Sequence, residues 1–225
     1  KSIHRLWCVN DKNFIQEFKN IAKNINHLYI ADGHHRMGAM QHIKKMNPLN
    51  ERFMIAAFPS NECKIFDYNR VIKDLNGLSK EQFIKNLLND FKVLKTDKAH
   101  KPTTKNEFGM YHDNQWYILE FVNPFTFNNF IDALDINILN QFCLTKMLNI
   151  KDVNNDERIR FIAGCHGLSA LEKKVDENPD SVAFSIFPST ITDVIRVADN
   201  NLTMPPKSTW FDPKPLDGLV VYEFN

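Results

Sequence analysis

The residues of this chain that are best suited to chemistry stand next to one another: Asp32, Gly33, His34, His35 and Arg36. Two imidazoles and a carboxylate bring three titratable groups together, and imidazoles exchange protons near neutral pH. Glycine permits a sharp turn, and arginine offers a planar, permanently charged fork that suits phosphate oxygens. We therefore predict that Gly33 and Arg36 bind phosphate and that Asp32, His34 and His35 are catalytic.

The segments on either side predict how residues 32–36, the 32–36 turn, are held. An apolar run typical of a strand precedes the turn at 27–31, and a stretch typical of a helix follows at 37–46. A strand that turns through glycine into a helix presents backbone N–H groups and the positive end of the helix dipole at one point, which favours phosphate binding. The alternative is a strand–turn–helix whose exposed tip is merely polar.

A second stretch with donors for an anion lies near the end of the chain, at residues 204–215, where four of twelve residues are proline. Proline fixes φ and removes donors, which predicts a rigid, extended loop. At its centre stand Lys207, Ser208 and Thr209, which we predict to bind phosphate. If they serve the same ligand as the 32–36 turn, they should lie within about 10 Å of Arg36. The alternative is a surface connection that leads into the last strand.

The sequence predicts no metal site. His35 and His42 are seven residues apart. No carboxylate or cysteine completes a ligand set with them at a spacing typical of metal sites. The four cysteines are scattered, without a Cys-x-x-Cys pair. The cofactor stays open, and a nucleotide with Mg²⁺ is the candidate; Asp32 would then either orient one of the two histidines or hold the divalent ion together with the phosphate.

Composition narrows the class of protein. A chain of 225 residues with 43% hydrophobic residues fits one large soluble globular domain or two small ones. A net charge of +1 gives no global field for steering toward nucleic acid or a membrane, so nucleic acid is not the favoured partner. No apolar run is long enough to span a membrane, no signal peptide is visible, and reduced cysteines fit a cytoplasmic protein. The oligomeric state stays open.

Strand and helix patterns alternate over residues 1–75, which favours an α/β fold, with mixed α+β as the alternative. Helices are predicted at 11–23 and 37–46. Predicted strands in this part are 4–9, 27–31, 52–58 and 65–72. The pattern breaks near residue 75, so we expect residues 76–225 to form a C-terminal α+β region that packs on the first segment.

Three local signals stand out in the C-terminal region. Ser79 and Gln82 have the spacing of a capping box, which predicts that a helix begins at residue 80. Asp113 and Asn114 separate two strand-like runs and predict a hairpin. The apolar run at 219–224 predicts a final strand.

The order Gly33-His34-His35-Arg36 resembles the signature loop of the ParB/sulfiredoxin superfamily, in which Gly-x-(Cys, His or Arg)-Arg holds nucleotide phosphates. The resemblance implies a strand–turn–helix core that binds a nucleotide. Sulfiredoxins carry a catalytic cysteine directly after the glycine, and this chain has His34 there. Sulfinic-acid repair chemistry is therefore not expected.

A second resemblance extends over nearly the whole chain. The chain is similar to a family of uncharacterised bacterial proteins, the domain of unknown function numbered one thousand and fifteen. Its members are often labelled ParB-like. The segments that carry this resemblance are 4–7, 30–36, 68–71, 181–184 and 204–211. Members of the family are longer, so the resemblance implies that this chain lacks an N-terminal part. The family brings no activity that could be carried over.

Two functions follow from these expectations. The first is an enzyme that binds a nucleotide or another phosphorylated small molecule at the 32–36 turn and catalyses phosphoryl transfer or phosphate-ester hydrolysis. The alternative is a ParB-like regulatory or nucleic-acid-associated module, in which a nucleotide acts as a switch and no small molecule is turned over. The second function calls for a DNA-reading helix-turn-helix and a surplus of basic residues, and the sequence shows neither clearly.

Overall fold

A computed structural model describes residues 3–46, 52–124 and 127–223. The chain divides into two compact units, Lys1–Glu51 and Arg52–Asn225. The predicted change of organisation near residue 75 stays a prediction. Within the described ranges, no helix is long and apolar enough to cross a lipid bilayer.

The first unit contains two helices, α1 (Lys12–Ala22) and α2 (His34–Met46). Helix α1 confirms the predicted helix at 11–23, and the side chain of Asp11 caps it by accepting the N–H of Phe14 at 2.7 Å. Helix α2 begins three residues earlier than predicted. The carbonyl of Gly33 already accepts the N–H of Met37 at 3.0 Å, so the helix starts directly after the glycine.

Three predicted strands are wrong. Residues 4–9, 27–31 and 52–58 belong to no strand of the described structure. Their apolar composition is that of strands, but a strand also needs a neighbour with which to exchange backbone hydrogen bonds. No such ladder is formed with the described residues. The 32–36 turn is therefore followed by the predicted helix but is not preceded by the predicted strand.

The second unit contains the β-structure of the described chain. Its strands are β1 (Lys64–Phe66), β2 (Tyr68–Ile72), β3 (Phe91–Thr96), β4 (Glu107–His112), β5 (Gln115–Phe121), β6 (Ile159–Ala163), β7 (Val182–Ile186) and β8 (Trp210–Asp212). Six of them form one sheet in the order β3-β5-β4-β7-β2-β6, and β1 pairs with β8 in a second sheet. All of these pairings are antiparallel. The fold is mixed α+β, as the fold-class prediction allowed.

Helices and short helical turns connect the strands. They are α3 (Lys80–Leu87), α4 (Asp135–Leu139), α5 (Ser169–Asp176) and α6 (Ile191–Asp199), a π-helix (Asn140–Thr145) and two 3₁₀ turns (Ser60–Glu62 and Gly164–His166). The capping box at the start of α3 is confirmed, with reciprocal bonds between Ser79 and Gln82. The hairpin of β4 and β5 is also confirmed. Its two turn residues, Asp113 and Asn114, have φ of 50° and 56°, as the tight turn requires.

The inner strands of the six-stranded sheet, among them β2, are buried on both faces. Side chains alternate between the faces along a strand, and the neighbours Val71 and Ile72 of β2 accordingly pack in different apolar clusters. The larger cluster contains Phe83 of α3, and the smaller one contains Leu171 and Trp116, with Leu171 on α5. Strand β2 therefore lies between two layers of side chains, and any polar group on it has to find its partners inside the protein.

The predicted final strand at 219–224 is wrong over the described residues 219–223, which form no strand; residue 224 lies outside the described part. The last strand of the described chain is β8, inside the proline-rich 204–215 stretch. It pairs with β1, so that Phe66 lies opposite Trp210. A three-residue strand in a two-stranded sheet needs few backbone donors, which is compatible with proline on either side of it.

The buried carboxyl of Asp135, 8% exposed at the start of α4, makes the stability of this unit depend on pH. Burial raises its pKa from 3.8 to about 6, and a hydrogen bond from the Asn106 N–H (2.6 Å) acts in the opposite direction. The folded state therefore holds this proton more tightly than the unfolded state. The contribution of Asp135 to stability is fully present below pH 3.8 and is lost as the pH rises through about 6.

We expect the Asp135→Asn variant, which keeps an oxygen acceptor for the Asn106 N–H, to lack this pH dependence. Its free energy of unfolding relative to that of the wild type should rise by at most about 3 kcal/mol from low pH to neutral pH. Denaturant unfolding at a series of pH values measures this difference. Asp113→Asn is the control, because the hydrogen bond from Lys80 lowers the pKa of Asp113 and gives the opposite sign. A wild type and an Asp135→Asn variant that respond equally to pH would contradict the expectation.

Candidate functional site

The 32–36 turn is built around the backbone of one glycine. Gly33 has a φ of +82°, a conformation that side chains with a Cβ rarely adopt. The carboxylate of Asp32 accepts the N–H of Gly33 at 2.9 Å and so fixes the turn from the N-terminal side. The carbonyl of Gly33 accepts the first hydrogen bond of α2. Asp32 and Gly33 thus convert the incoming chain into a helix within two residues.

The guanidinium of Arg36 lies over this glycine. A Cβ built on Gly33 would lie 3.3 Å from Nε and 3.4 Å from Nη2 of Arg36. Any larger residue at position 33 would therefore both strain the backbone and displace the arginine. The first turn of a helix has N–H groups without helical acceptors and carries the positive end of the helix dipole. The turn thus combines a helix N-terminus with a guanidinium, a pairing that attracts anions.

His34 and His35 occupy the first two positions of α2, and both are exposed. Because consecutive residues of an α-helix are about 100° apart around the axis, the two imidazoles point in different directions. The two imidazoles therefore cannot contact a ligand at the turn in the same way, although the sequence alone predicts either of them as the general acid or base. Asp32 is exposed as well, so the three titratable groups are accessible from solvent.

The 204–215 stretch is held by a buried arginine of β2. Arg70 is fully buried, its Nη2 donates to the carbonyl of Lys207 at 3.0 Å and to that of Pro206 at 3.5 Å, and its Nη1 donates to the carbonyl of Tyr68. Lys207 has a φ of +52° and its side chain is exposed, whereas Ser208 is only 7% exposed. Thr209 is half-buried. The stretch therefore presents the ammonium of Lys207 and buries the hydroxyl next to it.

The two stretches singled out from the sequence belong to different compact units. The 32–36 turn is in Lys1–Glu51, and Lys207, Ser208 and Thr209 are in Arg52–Asn225. That the two stretches bind the same ligand stays a prediction. The structure does bring together the members of each stretch.

Sequence reasoning missed a cluster of buried polar side chains around β2. Asp67 is 2% exposed, and Lys101 Nζ lies 3.1 Å from its Oδ1 as an ion pair, at angles outside those of a hydrogen bond. A Cβ at Gly164 would lie 2.2 Å from the same oxygen, so only glycine lets the loop approach this carboxylate. Asn69 accepts the N–H of Ile186 at 3.0 Å. The available signal was the run of polar residues Asp67, Asn69 and Arg70 within an otherwise strand-like segment.

Several solved structures are similar to this chain at low identity. A mutant of a free serine kinase in complex with AMP is 16% identical, with a TM-score of 0.47, and the match covers 89% of this chain and 78% of that one. A mutant of a free serine kinase in complex with ADP is 17% identical, with a TM-score of 0.45 and coverage of 81% and 66%. A conserved hypothetical protein from Pyrococcus furiosus is 14% identical, with a TM-score of 0.44 and coverage of 89% and 81%.

No curated protein matches the chain. One family model does match, over residues 1–137, which is more than half of the 225 residues. The match contains the 32–36 turn and β2, and it does not extend to the 204–215 stretch. The relation of the 32–36 turn to the signature loop of the ParB/sulfiredoxin superfamily stays a prediction. The chain belongs to the family described as protein of unknown function (DUF1015).

Proposed function

We propose that this protein binds a nucleotide or another phosphorylated small molecule at the 32–36 turn and catalyses phosphoryl transfer or phosphate-ester hydrolysis. One observation carries the proposal: the guanidinium of Arg36 lies over Gly33 at the point where α2 begins. A phosphate at this point meets a cation, a helix N-terminus and a backbone without a Cβ. These are the three features that let a backbone approach phosphate oxygens closely.

Phosphoryl transfer suits such a site because positioning and charge neutralisation supply most of its catalysis. In the proposed reaction Arg36 neutralises phosphate oxygens, and His34 or His35 acts as general acid or base. Asp32, whose carboxylate is fixed by the Gly33 N–H, orients one imidazole or holds a divalent ion together with the phosphate.

The residues present fit a divalent ion that is shared with the ligand. The described part of the chain has no group of three or more His, Cys, Asp or Glu side chains arranged to hold a metal ion by themselves. Mg²⁺ commonly binds through one or two carboxylates, water and substrate phosphates, and Asp32 supplies one such carboxylate. Bound in this way, Mg²⁺ would neutralise phosphate charge.

We expect Arg36→Ala to weaken phosphate binding strongly. Loss of a hydrogen bond to a charged group costs about 1.5–3 kcal/mol, which is roughly a 10- to 150-fold rise in Kd. A thermal-stabilisation screen of nucleotides and phosphorylated metabolites on the full chain would select the ligand, and calorimetry would measure its Kd. Lys44→Ala is the matched control, because Lys44 is a cation in the last turn of the same helix. Unchanged affinity in Arg36→Ala would remove the turn from the binding site.

Replacement of the histidines separates catalysis from binding alone. Glutamine keeps some hydrogen-bonding capacity but cannot exchange a proton near pH 7. If the protein is an enzyme, either His34→Gln or His35→Gln should abolish turnover and largely spare Kd. The other variant should have the smaller effect, because the two imidazoles point in different directions. Single-turnover assays and calorimetry on the same samples measure both quantities.

The ParB-like alternative makes a different forecast for the same variants. A nucleotide switch without turnover would respond to His34→Gln and His35→Gln through affinity alone. DNA binding that depends on phosphate contacts weakens steeply with salt. Tight, salt-sensitive DNA binding without turnover of any nucleotide or phosphorylated metabolite would therefore replace the enzyme proposal by the switch.

A further inference from the structure

A cavity of about 510 Å³ opens in the second unit, beside β2, β6 and the turn at Lys207. Its volume lies within the range of pockets that bind small molecules. All of its lining residues belong to the unit Arg52–Asn225, and none belongs to the 32–36 turn. The second unit therefore supplies the whole described lining of this cavity.

Two aromatic rings contribute to the wall of this cavity. Tyr68 of β2 and Phe161 of β6 pack edge to face, with ring centroids 6.1 Å apart and an interplanar angle of 87°. Both side chains are only half-buried, although rings of this size gain from complete burial. They provide an apolar surface for a flat group of a ligand.

Two cations also line the cavity, Lys207 and Arg160. Lys207 Nζ lies 5.9 Å from the centroid of the Tyr68 ring, and Arg160 donates to the carbonyl of Ile159 at 3.3 Å. Within the described part of the chain, neither cation forms an ion pair with a carboxylate. Both are therefore available to an anion from outside the protein.

The position of Lys207 is fixed before any ligand arrives. Arg70 donates to the carbonyls of Pro206 and Lys207, and its guanidinium lies 4.7 Å from the centroid of the Phe161 ring. Burial lowers the pKa of Arg70 to about 9, so its charge persists at neutral pH. No carboxylate forms an ion pair with it among the described residues. A buried positive charge thus lies behind the aromatic wall and adds to the charge of the two cations.

Acidic residues in the lining compensate only part of this charge. Asp156 is already bound by Arg158, with 2.8 Å between the carboxylate and Nη2. Glu157, which is exposed, is the other acidic residue of the lining. Three arginine or lysine cations at or behind the aromatic wall therefore stand against one carboxylate that is not already paired. The charge balance favours an anionic ligand.

We propose that this cavity binds a small molecule in which a phosphate or carboxylate is attached to a flat ring. The ring packs on Tyr68 and Phe161, and the anionic group binds Lys207 and Arg160. Arg70 is a positioning residue, because it holds the Lys207 turn and does not line the cavity. This proposal does not rest on the function proposed for the 32–36 turn, because it uses only residues of the second unit.

Trp210 provides a local reporter, because its ring lies 5.8 Å from that of Tyr68. The full chain, labelled with ¹⁵N, is titrated with AMP and with benzoate, and the indole N–H signals are followed by NMR. Trp210→Phe assigns the signal. Adenosine and inorganic phosphate serve as the two halves of AMP. We expect AMP or benzoate to shift the Trp210 signal in a saturable manner, with a Kd at least about tenfold below those of adenosine and phosphate. The comparison of AMP with benzoate distinguishes phosphate from carboxylate ligands.

The variants test the two cations directly. Lys207→Ala and Arg160→Ala alter exposed side chains and should each raise the Kd about tenfold, whereas Lys207→Arg should retain binding. Lys64→Ala is the matched control, because Lys64 is also an exposed lysine beside an aromatic ring, Phe66 at 4.8 Å, and does not line the cavity.

Three results would overturn the proposal. The first is that neither AMP nor benzoate shifts the Trp210 signal. The second is that the Kd values are equal in the wild type, Lys207→Ala and Arg160→Ala. The third is that binding is lost in Arg36→Ala and kept in both cavity variants. That third result would place the ligand at the 32–36 turn, so it would support the proposed function while rejecting this site. Conversely, binding that survives Arg36→Ala but not Lys207→Ala supports the cavity whatever the 32–36 turn does.

Discussion

The burial of the Arg70 charge is the constraint on which the second unit depends. A guanidinium removed from water is costly unless its donors are satisfied, and here backbone carbonyls rather than a carboxylate accept from Nη1 and Nη2. The buried Nε has no hydrogen-bond partner among the described residues. Those carbonyls belong to β2 itself and to the 204–215 stretch. The arginine therefore ties a proline-rich segment to β2, the strand next to the edge strand β6. Strand β8 follows in the same segment and pairs with β1, so Arg70 adds a second link between the two sheets to the chain connection from β1 to β2 at Asp67.

The 32–36 turn depends on a constraint of another kind, which is local. The contacts that shape its backbone join residues no more than four positions apart, and they include Asp32 with Gly33, Gly33 with Met37, and Gly33 with Arg36. The positive φ of Gly33 sets the direction of the chain at the turn. The positions of His34, His35 and Arg36 follow because the helix begins directly after this glycine. By contrast, the bond from Arg70 to Lys207 joins residues 137 positions apart. One candidate site is thus assembled by sequence neighbours and the other by the tertiary fold.

The two candidate sites differ in how much of each lies within the part of the chain that matches the family. The matched region, residues 1–137, contains the whole of the 32–36 turn and also Tyr68 and Arg70. Phe161, Arg160 and Lys207 lie beyond it. The cavity is therefore built from both the matched part of the chain and the part that follows. In both the 32–36 turn and the cavity, a cation lies beside a backbone turn of fixed geometry. The net charge of the chain, +1, does not predict either local concentration of positive charge.

The sequence by itself determined the features that depend on neighbouring residues: the glycine turn with its charged side chains, the helix that follows, the capping box of Ser79 and the hairpin at Asp113. In each case the hydrogen bonds that define the feature run between residues a few positions apart, so residue type and spacing suffice to predict it. Only the tertiary structure decided which apolar runs become strands, because a strand exists through a partner that may be a hundred residues away. For the same reason 4–9, 27–31 and 52–58 were wrongly predicted. The role of Arg70 likewise depended on carbonyls that only the folded chain brings to it.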